Sequence, residues 1–198
     1  VDRKLVAILD ADVEGYCRLM GDDETTAVRA PAAYGELMAN VVGRYHGRVV
    51  DFIGDNLLAE FGRVVDAVTA AVEIQRELAA RNAARPDHRR MRFRIGINLG
   101  DVLVEGRLIF GDGVNVAARV QALAEGGGIA VSGTVYDQVE NKLALTYESL
   151  GEHAVKSIAK PVRVDRVAMG AGTAAGLGET KEVRSRPRLR GCSSGSQS

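Results

Sequence analysis

Gly47-Arg-Val-Val-Asp-Phe-Ile-Gly-Asp-Asn-Leu-Leu-Ala-Glu-Phe61 reads as two strands closed by a tight turn. The apolar runs Arg48–Ile53 and Leu57–Phe61 have β character, and Gly54-Asp55-Asn56 between them is turn chemistry. A hairpin of this kind needs a neighbour to bury its apolar face. The nearest candidate upstream is Lys4-Leu-Val-Ala-Ile-Leu9, a short apolar run that ends in Asp10 and Asp12, as a buried strand entering a loop would.

Working outward, Glu24 to His46 is long enough for a helix that Pro31 should kink or begin. Arg63 to Ala84 places Val64, Val68, Val72, Gln75 and Leu78 three or four apart, the spacing of an amphipathic helix lying on a sheet. Arg92–Ile97 and Val102–Glu105 read as further strands interrupted at Gly100-Asp101. Asp112 is placed to cap a helix from Val114 to about Glu125. Gly126 to Gly128 read as a turn rather than a phosphate cradle, Ile129–Val131 as a strand, Ser132 as the cap of a helix through Val139, and Val162–Val167 as a closing strand. This order predicts an α+β fold, a ferredoxin-like, antiparallel-rich sheet with helices packed on one face, occupying residues 1–169. From Gly170 to Ser198 the chain is rich in Gly, Ser and Arg and has almost no large apolar residue, so a disordered tail is expected.

Lys and Arg number 26, Asp and Glu also 26, so the formal net charge is zero, which argues against nucleic acid as the main partner. Cys17 and Cys192 lie far apart, which speaks against a disulfide framework and for a reducing, cytoplasmic setting. No apolar run approaches the ~20 residues of a membrane span, and no signal peptide is visible. Walker loops, Gly-x-Ser-x-Gly elbows and paired histidines at metal-ligand spacing are all absent, which removes P-loop, serine-hydrolase and zinc chemistry. What stands out is the acids. If the hairpin lies beside the first strand, Asp12 and Asp55 converge at one end of the sheet, and convergent carboxylates suit Mg²⁺. The plainer reading, Asp beside Gly as turn chemistry, stays open on these residues alone.

Several blocks, taken together, are more specific. They are Ile8-Leu-Asp-Ala-Asp-Val-Glu-Gly-Tyr-Cys-Arg-Leu-Met20, the Gly47–Phe61 hairpin, and Arg94-Ile-Gly-Ile-Asn-Leu-Gly-Asp101. Phe110-Gly-Asp-Gly-Val-Asn-Val-Ala-Ala-Arg119 and Leu150-Gly-Glu-His-Ala-Val-Lys156 complete the set. In order and spacing the chain resembles the class III nucleotidyl cyclase catalytic domain, the adenylate and guanylate cyclase family. The resemblance implies that Asp12 and Asp55, with the backbone carbonyl of Val13, hold two Mg²⁺ or Mn²⁺ ions. It implies that Asn115 orients the ribose and Arg119 holds the α-phosphate, the two lying one turn apart on one helical face. Lys156 matches a lysine that contacts the terminal phosphates. It further implies a homodimer whose sites each take the metal carboxylates from one chain and the Asn/Arg pair from the other. Taken singly, Asn115 reads equally as a local cap, Arg119 as a salt-bridged helix residue and Lys156 as a solvated side chain.

The two positions that select the base in this family are Asp51 and Leu108 here, matching neither the adenylate nor the guanylate pattern. Asp51 could accept a hydrogen bond from a base amine, and Leu108 offers only shape. The reading favours ATP as substrate and cyclic AMP as product, with a bacterial-type enzyme. GTP, or a non-catalytic nucleotide-binding or dimerisation module of the same fold, are the alternatives. A polymerase palm or diguanylate cyclase lacks its turn motif here. No sensor module is legible that would name a regulatory partner.

Overall fold

The hairpin is present and closes on Gly54. A computed structural model describes residues 2–14, 24–156 and 158–170, without the side chains of 24–32. Strands β2 (Gly47–Ile53) and β3 (Asn56–Phe61) pair antiparallel, with Ile53 opposite Asn56 across a two-residue turn. Gly54 opens that turn at φ 63°, a conformation that costs other residues dearly.

The hairpin packs edge-on against β1 (Asp2–Val13), which in turn pairs along its whole length with β4 (Phe93–Glu105). Beyond β4 come β6 (Ile129–Ser132), parallel to it, then β8 (Val162–Val167) and β7 (Tyr147–His153), both antiparallel to their neighbours. The sheet order is β2-β3-β1-β4-β6-β8-β7, and short β5 (Leu108–Phe110) pairs with the far end of β4. The expected α+β architecture is therefore found. Helices α1 (Glu24–Arg44), α2 (Val64–Ala83) and α4 (Gly133–Val139) cover one face. Helix α3 (Asp112–Ala122) is an addition on the other face.

Alternation along β1 explains both layers. Ala7, Leu9, Ala11 and Val13 bury against Tyr34, Met38 and Val41 of α1 and Ala67, Ala71 and Ile74 of α2. Val6 and Ile8 point the other way, against Val102 of β4, Ile109 of β5 and Ala117 of α3. A strand covered on both faces needs a continuous apolar run, which is what Leu5–Leu9 is. The strand does not stop at the acids: Asp10 and Asp12 lie inside it, on the α3 side. Gln75, buried within the apolar stripe of α2, donates from its Nε2 to the carbonyls of Phe93 and Gly128 at 2.9 and 2.8 Å, which ties α2 to the start of β4 and to the Gly126–Gly128 turn.

Several elements differ in detail from the sequence reading. β4 runs unbroken through Gly100-Asp101, because glycine there lets α3 rest on the sheet: a Cβ on Gly100 would sit 3.1 Å from the Cα of Gly113. The residue preceding α3 is Gly111 at φ 113°, not Asp112, which lies in the first turn and there complements the helix dipole. Ser132 does precede α4, yet its hydroxyl pairs with Thr134 Oγ1 at 2.9 Å instead of capping the helix. Strands β5 and β7 were not foreseen. The backbone of α1 is helical through Pro31. Cys17 lies outside the described residues, as does the expected disordered tail beyond Gly170. Among the described residues no helix is long and apolar enough to cross a membrane.

On the α3 side of the sheet Glu60 is buried and accepts from Lys4 Nζ at 3.0 Å and Arg48 Nε at 3.1 Å. Burial pushes its carboxyl up, but the hydrogen bonds from Lys4 and Arg48, with their charges, outweigh that and hold it below the ordinary 4.5. A lowered folded-state value stabilises above the unfolded value and is lost as pH falls. The stability advantage of wild type over Glu60→Gln should therefore be full at pH 7 and shrink below about pH 4.5, read by urea denaturation across pH. A second expectation concerns the α3 contact. A methyl on Gly96 would collide with the backbone of Gln121, so Gly96→Ala should cost ~3 kcal/mol, whereas Gly43→Ala, on the open face of α1, should gain ~0.5 kcal/mol.

Candidate active site

The site is built where β1 leaves the sheet. Asp12 lies opposite Arg94 in the β1–β4 register, and Arg94 Nη2 donates to Asp12 Oδ2 at 2.7 Å. The hairpin tip brings Asp55 to the same place. Burial, then a hydrogen bond with Asp12 and the repulsion of its charge, raise the Asp55 carboxyl above its ordinary value, while Arg94 pulls it down. Two carboxylates share one corner with the Arg94 guanidinium, which bonds to Asp12 and acts on Asp55 through its charge. Arg94 Nε is buried there without a hydrogen-bond partner, a spare donor beside the acids.

Asp10 lies two residues back on the same face and is only 5% exposed. Burial pushes it up to about 6, against the lowering effect of the hydrogen bond from Asn56 Nδ2 at 3.0 Å; the Asp12 charge adds to the rise. Val13 completes the corner through its backbone. The Glu14 amide donates to the Arg92 carbonyl at 2.8 Å, so even-numbered residues of β1 bond to β4 here. Antiparallel alternation then turns the Val13 carbonyl to the β3 side. There the ladder ends at Ala11 opposite Leu57, and the next bonded pair, Val13 with Asp55, is not made.

This donor set fits a hard divalent cation. Two carboxylates and a carbonyl are oxygen ligands, Mg²⁺ takes one or two carboxylates and completes its shell with water and phosphate oxygens, and a cation would offset the burial and the Asp12 charge that raise Asp55. Among the described residues no group of three His, Cys, Asp or Glu forms a self-sufficient cage, so ligands from a substrate would be required.

The other expected residues sit elsewhere. Asn115 and Arg119 lie one turn apart on the exposed face of α3, and Lys156 is exposed in the segment before β8. Asn115 makes no cap and Arg119 forms no ion pair among the described residues, whereas an exposed Lys156 without an ion pair there also fits a solvated side chain. No hydrogen bond or ion pair joins these three to Asp12 or Asp55 within the chain. Asp51 lies half-buried on β2, its Oδ1 accepting from the Phe52 amide at 2.8 Å. Leu108, on β5, is 44% exposed, as is its neighbour Phe110 at 46%. Arg48 bridges the two strands by donating to the Arg107 carbonyl at 2.7 Å. A cleft of about 830 Å³ opens between β5, β6 and the start of α3, lined by Asn98, Asp101, Gly113, Thr134, Lys160 and Arg163. Its lining does not include the carboxylate corner, so within a single chain the acids lie apart from this cleft.

Arg94 and Asn56 escaped the sequence reading as site residues. The signal for Arg94 was its place at the head of the Arg94–Asp101 block, but its partnership with Asp12 depends on a register no local pattern reveals.

The sheet order, the acid pair on β1 and the β2–β3 tip, and the exposed Asn/Arg pair on α3 belong together in one class of protein, the nucleotidyl cyclases. The chain is a member of the adenylate and guanylate cyclase catalytic domain family, whose description it matches over residues 2–168. It is 43% identical over 165 residues to putative adenylate cyclase 3 of Rhizobium meliloti, covering 83% of this chain and 28% of that protein. It is 31% identical over 145 residues to the uncharacterized protein Rv1359 of Mycobacterium tuberculosis, covering 72% of this chain and 54% of that one. The chain thus spans about a quarter to a half of these relatives. Among solved structures, the adenylate/guanylate cyclase/hydrolase from Silicibacter pomeroyi superposes with TM-score 0.79 at 39% identity, covering 84% of this chain and 98% of that one. The adenylyl cyclase CyaB from P. aeruginosa, at 22% identity and TM-score 0.75, covering 84% and 95%, shares the fold.

If the corner takes a divalent cation, Mn²⁺ should raise the melting temperature in proportion to the logarithm of its concentration, worth ~2.7 kcal/mol at 100 times its Kd. Asp55→Ala should melt near wild type without metal and lose this response in a thermal-shift titration.

Proposed function

We propose that the chain is the catalytic domain of an adenylate cyclase that converts ATP to 3′,5′-cyclic AMP and pyrophosphate at sites shared across a homodimer. The observation that carries this reading is the division of the site: the acids converge at one corner, while Asn115, Arg119 and Lys156 stand exposed elsewhere, without side-chain partners among the described residues. A second copy would bring the two halves together. Exposed apolar residues on the hairpin tip and β5, Ile53 at 70% with Leu108 and Phe110, are surface that such a partner would cover.

When bound, two divalent ions would acidify the ribose 3′-hydroxyl and neutralise the phosphate oxygens. Asp12, Asp55 and the Val13 carbonyl would hold them. Arg94, already at the corner, would meet phosphate charge once its hold on Asp12 is shared with a cation. From the other chain, Asn115 would fix the ribose so that O3′ faces the α-phosphorus. Arg119 would hold the charge that grows on the α-phosphate as the O3′–P bond forms and the bond to pyrophosphate breaks. Lys156 would receive the terminal phosphates. The hydroxyl proton leaves to water, and no protein nucleophile is required.

ATP is favoured by the relation to the putative adenylate cyclase of Rhizobium meliloti. Asp51 supports a second reading, GTP. With Oδ1 held by the Phe52 amide, its other oxygen is left to accept from a base edge, and guanine offers the N1 and N2 donors while adenine offers only N6. A non-catalytic module of the same fold is the third.

The test is a product assay with ATP or GTP and Mg²⁺ or Mn²⁺ across protein concentration. Cyclic AMP should form, with activity rising faster than linearly in protein. Asp55→Ala and Asn115→Ala should each lose at least ~100-fold. Mixed in equal amounts they should recover about a quarter of wild-type activity, since half the dimers then hold one intact site of two. No recovery from folded, dimeric variants would overturn the shared site. No product from either nucleotide would leave the non-catalytic module.

A further inference from the structure

We propose that Asn56 and Asp10 form a clamp that sets the approach of Asp55 to Asp12, making both of them positioning residues of the divalent-cation corner. This rests on the cation-binding reading of that corner. The geometry argues for it from the way each acid is anchored. Asp12 is held twice from β4: its strand stays paired with β4 as far as Val13 opposite Phe93, and its side chain is gripped by Arg94. Asp55 has no anchor on β4; its carboxyl bonds to Asp12, the very group whose distance from it is to be set. The hairpin carrying it is well made internally, down to Ile53 opposite Asn56, but its ladder to β1 ends at Ala11 opposite Leu57. Beyond that pair the tip is free to swing as a unit, and the separation of the carboxylates would swing with it.

Asn56 closes that freedom. Continuing the register places it across from Asp12, yet its side chain reaches diagonally back to Asp10 Oδ1 at 3.0 Å. The amide therefore pulls the tip down onto β1 one residue from Asp55. The acceptor is a buried carboxylate, shielded from competing water, which makes the bond stronger than one between neutral groups. Asp10 also lacks a packing reason. It follows Val6 and Ile8 on the α3-facing side of β1, where an apolar residue would bury without desolvating a charge. A buried acid at this point is accounted for by the bond it accepts.

The test uses the intact chain and Mn²⁺ alone, titrated by calorimetry and by the resonance of free Mn²⁺, so that it does not depend on turnover. Asn56→Ala should weaken Mn²⁺ binding ~10- to 100-fold, the usual cost of losing a residue that orients a ligand. Amide exchange at Gly54 and Asp55 should quicken in the same variant. In an Asp10→Ala background the Asn56→Ala change should do nothing further, because the clamp is already open. Should Asn56→Ala fail to fold, Asn56→Ser takes its place in the same cycle. Mn²⁺ affinity within about twofold of wild type, or losses that simply add in the double variant, would overturn the clamp while leaving the cation site standing. A wild-type chain that binds no Mn²⁺ would overturn the cation reading and the clamp with it.

Discussion

The strand β1 is covered on both faces, and most of the molecule follows from that constraint. One face must satisfy α1 and α2, which it does with Ala7, Leu9, Ala11 and Val13. The other must satisfy α3, which it does only as far as Ile8. Past that point the same face carries Asp10 and Asp12, and each charge has to be answered from a neighbouring strand. Asn56 answers one from β3 and Arg94 the other from β4. The polar corner is thus the place where a strand built to be buried runs out of helix to bury against.

Helix α3 explains why the corner is open. It approaches the sheet closely because glycine lies beneath it, Gly96 under Gln121 and Gly100 under Gly113. Backbone contact at these two points leaves no room there for a side chain between helix and strand. It buries Val116, Ala117 and Val120 and turns Asn115 and Arg119 outward. A helix pressed so tightly against the sheet cannot roll to bring those two groups to the acids of its own chain. The separation of the cationic face from the acidic corner is therefore built into the packing.

Most of this was legible where the information is local. The hairpin announced itself through Gly54-Asp55-Asn56, α2 through its three-and-four spacing, and the Gly126–Gly128 turn through glycines of which Gly127 takes φ 84°. The unread elements are those whose reasons are not local. β5 is three residues long and exists because β4 extends far enough to pair with it. β7 carries Glu148, Ser149, Gly151 and Glu152, a mostly solvent-facing pattern that gives no apolar rhythm to detect. The break read at Gly100-Asp101 treated glycine as a terminator, when its function is to admit α3.

The same distinction runs through the site. Asp12 and Asp55 could be paired from the sequence because a hairpin placed beside the first strand leaves few other arrangements. Arg94 and Asn56 could not, since their parts depend on which residue faces which across two strand boundaries. The acids alone would repel, and that repulsion adds to the burial and the Asp12 hydrogen bond that raise the Asp55 carboxyl. The chain holds them together by spending its polar side chains from both flanking strands on the task, while Arg119 on α3 forms no ion pair among the described residues. On the proposed reading, a polyanion carrying its own divalent ions would supply what the corner lacks and meet Arg119, and the packing of α3 would have it do both between two chains.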